Sequence, residues 1–447
     1  MLTPTVLAGR AVGLLRSNTA FVIGAVVAVN MLRIVSSMVL TRLLDASAFG
    51  IVGLLTSVTY VLTMLSDVGF LAFIVRHEDA DDKRFLNQVW TLRLIRSVLL
   101  ALLMLTLAWP VAGFVGQPEM GPVLAVWSVT FIIEGFSSLV FATGLRNNEL
   151  KKLSLLDLLI AVLQLVISAA LCAWLRSYWG LVIAGIITAV IKTILTYGMF
   201  PDARRRFTFD RQRASELWRF SRFIAWSSAL TVVVTQIDKL IFARLMPIQT
   251  FGLFTIAASL AYAPAAINAS FAEKLLFPAL AREKHDRRGV FYRKRRPIVW
   301  PYAFAVGGLI GSAPLVVEIL YVPRYRDAAG FIQILAIATL MTMGTAAANQ
   351  ALIASNRTSY MLYANLGRAA WLITGGAITL VLDKPIVLVW TVGLIEIPPT
   401  LIFWWALSRL KLLSLIEELA TPVLAIAGAA VGAAMSTFIL SRFVPGL

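Results

Sequence analysis

What most constrains this chain is a series of long apolar stretches that recur along nearly its whole length. A helix needs about 20 mostly apolar residues to cross the hydrocarbon core of a bilayer. Thirteen segments meet that length: 18–44, 51–75, 88–110, 121–142, 154–175, 179–199, 220–244, 251–273, 298–320, 330–353, 360–382, 386–408 and 421–441. They are apolar on every face, unlike the half-polar helices of a soluble bundle. None shows the period-two alternation of a membrane β-barrel. The first follows Arg10 and Arg16 as a signal peptide would, but it is too long for an h-region and lacks a small-residue cleavage pattern. The expected fold is therefore all-α, a polytopic membrane protein of about 13 transmembrane helices. Composition agrees: 59% of residues are hydrophobic and 14% charged, where soluble domains carry about a quarter charged. The apolar content excludes intrinsic disorder, and the single Cys172 excludes a disulfide-built scaffold.

The net charge of +17 would point to nucleic acid in a soluble protein. In a membrane protein, the placement of the cations decides. With the N-terminus cytoplasmic, that side receives Arg10, Arg16, the Arg204–Arg206 run and the cluster from Arg282 to Arg296, among others. In all it holds 27 of the 40 basic residues, against 7 on the opposite side. The positive-inside rule thus sets the N-terminus in the cytoplasm, and 13 spans would leave the C-terminus outside. The basic loops 202–222 and 282–296 read as topology signals and as contacts to anionic membrane lipids, and nucleic acid is not an expected partner. Outer connections are short, and no loop is long enough to hold a catalytic domain.

An internal repeat organises the spans. Arg42-Leu43-Leu44 ends the first and Phe49-Gly50-Ile51 opens the second. Arg244-Leu245-Met246 and Phe251-Gly252-Leu253 stand at the same topological place, at a fixed offset of 202 residues. Each half then holds six helices and enters the membrane in the same orientation, a parallel repeat of the kind transporters use. The expected division is a cytoplasmic segment 1–17, a six-helix bundle 18–200, a basic linker 201–219, a second six-helix bundle 220–408, and 409–447 as a linker with an accessory thirteenth helix.

These residues carry a likeness. The Arg42-Leu43-Leu44 turn with Phe49-Gly50-Ile51, the segment Gln236-Ile237-Asp238-Lys239-Leu240-Ile241, and Phe251-Gly252-Leu253-Phe254 together resemble the polysaccharide transporter (Wzx-type flippase) branch of the multidrug/oligosaccharidyl-lipid/polysaccharide exporter superfamily. The motifs are short, while helix number, two-half layout and loop lengths match over nearly the whole chain. The resemblance implies two six-helix bundles around a central cleft in a bacterial cytoplasmic (inner) membrane. By alternating access, that cleft would carry a polyprenyl diphosphate-linked oligosaccharide to the outer leaflet for exopolysaccharide, O-antigen or capsule synthesis, beside polysaccharide polymerase machinery. The same superfamily offers a lipid II flippase or a cation-coupled multidrug antiporter as the alternative. A membrane glycosyltransferase or polymerase is more remote, because the outer loops are short.

Charges inside the spans are the candidate site, since such residues normally face a cavity or a partner. Arg33 lies too deep to snorkel, and a guanidinium makes paired hydrogen bonds to phosphate oxygens. Arg33 and Lys239 are therefore the candidate contacts to a diphosphate or an acidic sugar, with an ion pair from Arg33 to Asp67 or another carboxylate as the competing reading for the former. Asp67, Glu134, Asp238 and Glu396 are candidates for intramembrane pairing or for coupling to a proton or sodium ion. Lys192 is also deep, whereas Arg93, Arg96, Asp157, Glu273, Glu318 and Arg368 fall nearer helix ends, where a solvated or snorkelling headgroup is the simpler expectation. Pro398-Pro399 should break the twelfth helix and Pro264 the eighth. His77 and His285 stand apart from other ligand types, so no metal is expected. The chain has no P-loop and no dinucleotide fingerprint, so no cofactor is expected either.

Overall fold

The computed structural model describes residues 18–66, 69–147, 149–200, 205–265, 268, 272, 276, 279–280, 283 and 286–443. Of the residues named above, Arg10, Arg16, Asp67, Arg204, Glu273, Arg282 and His285 lie outside that set. Among the described residues there is no β-strand, and the chain forms two compact units, Met1–Val232 and Val233–Leu447.

In the first unit, α1 (Asn18–Leu43) and α2 (Ala46–Leu65) are joined by a tight turn at Asp45, whose extended backbone stops the helix. Where a span over 51–75 was expected, α2 instead ends at Leu65, and a short α3 (Phe70–Arg76) follows Gly69. The physical reason is Gly69 itself, at φ 68°, a left-handed conformation that no helix interior accommodates. Next comes α4 (Lys83–Val115), capped by Asp82, which accepts from the Arg84 amide at 3.0 Å, and closed by Gly116 at φ 74°. At 33 residues it is longer than a bilayer requires, and its first turn, with Lys83 and Arg84 exposed, extends beyond the apolar stretch.

The fourth expected span is a broken one. It comprises α5 (Met120–Trp127), α6 (Val129–Phe136) and α7 (Val140–Arg146), with a 41° bend before α7. Around the bend, α4 supplies further donors to the end of α6. Arg93 gives Nη2 to the Glu134 carbonyl at 2.9 Å and to Ser137 Oγ at 2.7 Å, and Trp90 Nε1 reaches the Ser137 carbonyl at 3.1 Å. In the same way Arg96 bonds the Thr63 carbonyl and Ser66 Oγ, both at 2.8 Å, at the end of α2. Both arginines are thus tied to helix C-termini, where cations are favoured, and do not simply snorkel. The unit continues with α8 (Leu150–Leu175), which packs along α1, and α9 (Trp179–Gly198). Residues 205–210 then lie against α4: the Arg206 and Thr208 amides donate to Asn87 Oδ1 and Thr91 Oγ1, and Phe207 stacks edge-on to Trp90.

The unit boundary falls within α10 (Arg211–Leu245). In the second unit α11 (Ile248–Ala261) stops short of Pro264. Then follow α12 (Arg287–Leu320), α13 (Ala328–Ala354), α14 (Ser359–Leu382), the pair α15 (Pro385–Gly393) and α16 (Ile397–Arg409), and α17 (Leu415–Phe443). The thirteenth expected span, α17, lies close against α12. Glycines 307 and 311 of α12 and 428 and 432 of α17 face backbone atoms of the opposite helix, where a Cβ would collide. The contact is locked at one end by Glu418, which is buried and takes both guanidinium nitrogens of buried Arg295 and the Tyr292 hydroxyl.

Among the described residues eleven helices are long and apolar enough to cross a membrane, or twelve if the bent pair is one span. The remaining expected span, 220–244, falls within the 35-residue helix α10. The repeat is visible in the helix ends: Leu43 and Leu245 close one helix, and Ala46 and Ile248 open the next, both at the 202-residue offset.

Candidate functional site

Each unit carries its own charged interior. In the first, a cavity of about 390 Å³ opens between α2, α5–α6, α8 and α9. Its polar wall holds Thr56, Trp127, Glu134, Gln164, Thr188 and Lys192. Glu134 and Lys192 approach to 3.8 Å with their side chains 54% and 35% exposed, a loose pair in which neither charge is fully committed. Arg33 is exposed on α1, and among the described residues it has no hydrogen bond or ion pair. Because α1 runs along α8, it shares its surroundings with Asp157, which lies within electrostatic range of both Lys192 and Arg33. Arg33, Lys192, Glu134 and Asp157 thus form a partly exposed set of two cations and two anions.

The second unit does the opposite. Glu396 is 7% exposed and is held by Arg368 through both oxygens, Nε to Oε1 at 3.0 Å and Nη2 to Oε2 at 2.8 Å. Thr345 Oγ1 adds a third bond to Oε2 at 2.7 Å, and Arg368 Nη1 goes on to Asn365 Oδ1 at 2.8 Å. The break expected at Pro398-Pro399 is what places this carboxylate. Helix α15 ends at Gly393 and α16 starts at Ile397 with Glu396 as its cap, so the acidic side chain sits at a helix N-terminus. A cavity of about 270 Å³ adjoins the pair and includes Asn349, whose buried Oδ1 has no hydrogen-bond partner.

The other residues in the second unit divide. Asp238 is 7% exposed with its Oδ1 unpartnered, and Tyr262 lies within electrostatic range of both Asp238 and Glu396. Lys239 turns elsewhere and donates to Gln236 Oε1 one turn back at 3.1 Å. The structure therefore brings Arg33 near Asp157 and Lys192, and Glu396 to Arg368; it does not pair Asp238 with Lys239.

Arg368, Thr345, Tyr262, Trp127 and Gln164 were not singled out as site residues by the sequence. For Arg368 a signal exists: α14 and α15 meet at Asp383-Lys384, and Arg368 and Glu396 lie at similar distances on either side of that turn. An antiparallel hairpin must bring such residues to one depth. Outside the spans, His77 is bound into a further network. Its Nε2 lies 2.9 Å from Glu216 Oε1 and 3.0 Å from Arg213 Nη1, and Arg213 also bonds Asp79 at 3.0 Å. Among the described residues no group of His, Cys, Asp or Glu is arranged to hold a metal ion.

Comparison with known proteins gives a consistent setting. A family described as polysaccharide biosynthesis protein matches residues 39–330. The chain is 24% identical over 258 residues to the succinoglycan biosynthesis transport protein ExoT of Rhizobium meliloti, a match covering 57% of this chain and about half, 51%, of that protein. It is 23% identical over 303 residues to the amylovoran biosynthesis protein AmsL of Erwinia amylovora, covering 66% of this chain and 77% of the relative. Among solved structures, the lipid II flippase MurJ in an inward closed conformation superposes with a TM-score of 0.72 at 12% identity, over 95% of this chain and 99% of that one. An inward-facing MATE family transporter of the MOP superfamily gives 0.56 at 14% identity, over 93% and 96%. At such identity these two show the fold alone.

Proposed function

This chain belongs to the polysaccharide biosynthesis protein family, and we propose that it is a flippase. Its cargo would be a polyprenyl diphosphate-linked oligosaccharide, moved from the cytoplasmic to the outer leaflet of a bacterial inner membrane by alternating access. The observation that carries this reading is Arg33, a mid-helix guanidinium left exposed and without a hydrogen bond or ion pair among the described residues. Holding such a cation at membrane depth costs about 2.5–3.5 kcal/mol on insertion scales. An anionic cargo offsets that cost, and a diphosphate suits the planar fork of the guanidinium. The neighbouring cavity, with polar groups set between apolar faces, would give sugars a path while the lipid tail stays in the bilayer. Lys239 is a weaker candidate for the same headgroup, since one of its hydrogens is already given to Gln236.

Ion coupling falls more naturally to Glu134 than to Glu396. The Glu134 carboxylate is half exposed and only loosely paired, so a coupling ion can reach it, whereas Glu396 is buried and held by Arg368 through both oxygens. The same contrast disfavours a drug antiporter working through Glu396. The test is deletion of the gene followed by localisation of lipid-linked oligosaccharide. Build-up on the cytoplasmic leaflet supports the reading, and normal surface glycan without build-up refutes it. Arg33→Ala at matched expression should cut export severely; full export would remove Arg33 from the cargo path.

A further inference from the structure

The cavity inside the first unit contains more recognition chemistry than a passive water path needs. Two of its wall residues end in polar atoms that are buried and have no hydrogen-bond partner, Trp127 Nε1 and Thr188 Oγ1. Thr188 is only 5% exposed. Buried polar groups are nearly always satisfied, so two orphans on one cavity wall call for an absent partner. The rest of the wall supplies complementary groups. Thr56, Thr59 and Thr130 spend their hydroxyl protons on carbonyls of their own helices, at 2.9, 2.7 and 2.7 Å, which leaves their oxygens as acceptors. Gln164 gives Nε2 to Ser168 at 2.9 Å and keeps Oε1 open.

We infer that this cavity is a sugar subsite: it takes one neutral pyranose ring of the transported glycan, with Trp127 Nε1 and Thr188 Oγ1 bonding to its hydroxyls. The inference rests on the flippase reading and adds where the sugar is held. Each ring hydroxyl both donates and accepts, which matches a wall of mixed donors and acceptors between apolar faces. A volume of about 390 Å³ falls at the lower end of small-ligand sites, roughly 300–1,000 Å³. A phosphate is disfavoured, because Glu134 stands 3.8 Å from the cavity's lysine, Lys192. A purely apolar guest would leave both orphans unsatisfied. The indole position is itself built in: a Cβ at Gly185 would stand 2.6 Å from the far edge of the Trp127 ring, so a glycine there lets that edge close on α9.

The test uses the full chain in lipid nanodiscs and two probes. One is lipid-linked oligosaccharide extracted from cells that cannot polymerise it, and the other is polyprenyl diphosphate bearing no sugar. Trp127→Phe keeps the ring and removes the N–H; Thr188→Val keeps the shape and removes the hydroxyl. Each should weaken binding of the glycan-bearing lipid by about three- to tenfold and leave the bare lipid unchanged. Arg33→Ala should weaken both probes. If Trp127→Phe does not fold, Thr188→Val decides alone. Equal effects on the two probes, or no effect on either, overturn the subsite while leaving the flippase reading intact. Failure of the unaltered protein to bind either probe overturns both.

Discussion

Breaking the Arg368–Glu396 pair should be far more damaging than its two residue names suggest. The side chains are 18% and 9% exposed, and the carboxylate is bonded through both oxygens to the guanidinium and once more to Thr345. Removing one partner of a buried pair typically costs about 3–5 kcal/mol, because the charge left behind is uncompensated. Glu396→Ala should sit at the upper end, since a guanidinium cannot shed its proton to become neutral. Arg368→Ala should sit at the lower end, since the remaining carboxylate still lies beside the N-terminus of α16, where the helix dipole favours a negative charge by about 0.3–1 kcal/mol. For a cooperative unit of about 200 residues, each kcal/mol moves Tm by roughly 2–4 °C. Glu396→Ala should therefore lower the melting temperature by about 10–20 °C. The assay is thermal unfolding of the purified protein in detergent at a fixed scan rate. The double variant Arg368→Met with Glu396→Leu removes both charges at similar volume and should recover to within about 1–2 kcal/mol of the parent. Single variants that each cost under about 1 kcal/mol and add without coupling would refute the argument, since they would show a solvated pair.

Other predictions differ in what they probe. Glu418→Ala strands buried Arg295, whose Nε already lacks a partner, and should loosen α17 from α12; the measurement is faster proteolysis of the 409–414 segment, with a stability loss of about 3–5 kcal/mol. Arg213→Ala removes the bonds to His77, Glu216 and Asp79 that hold the start of α10, so trypsin should cut sooner at Arg205 and Arg206. By contrast Lys192→Met should change stability by less than about 1 kcal/mol, because its pairing with Glu134 is long and half exposed, and a larger loss in the same melting assay would show a tighter pair.

Much of the architecture follows from features that one strand of sequence can carry. Apolar length specifies most of the crossings, and the repeat marks equivalent helix ends at the 202-residue offset, because both act through local chemistry. Helix breaks were legible only where proline caused them, as at Pro398-Pro399. The bend at Ser137–Leu139 has no such marker. It is braced by Arg93 and Trp90, more than forty residues earlier, which donate to the Glu134 and Ser137 carbonyls beside it. Such compensation is tertiary and leaves no pattern in the bent segment itself. The same limit applies to the charges. Depth along a span could be counted, so Arg33 and Glu396 stood out, but partnership depends on which helix faces which. Arg368 looked like a residue near a helix end until the α14–α15 turn set it opposite Glu396.

The two halves of the repeat have diverged in how they treat charge. The first keeps Arg33, Asp157 and Glu134 exposed, and Lys192 only partly covered. The second buries Asp238, Glu396, Arg295 and Glu418, and gives the last three an opposite charge within its own walls. A duplicated ancestor with two identical halves would have presented the same chemistry twice. If the first half carries the cargo contacts, as proposed above, charges in the other half are free to serve packing instead. Buried ion pairs of this kind contribute little net stability over apolar residues, so what they add is geometric: α16 is held to α14 through Arg368, and α17 to α12 through Arg295. A transporter that alternates needs elements that move as units, and a bidentate pair fixes two helices in one register. On this argument the exposed charges of the first unit should tolerate substitution without loss of fold but with loss of transport, and the buried charges of the second should show the reverse.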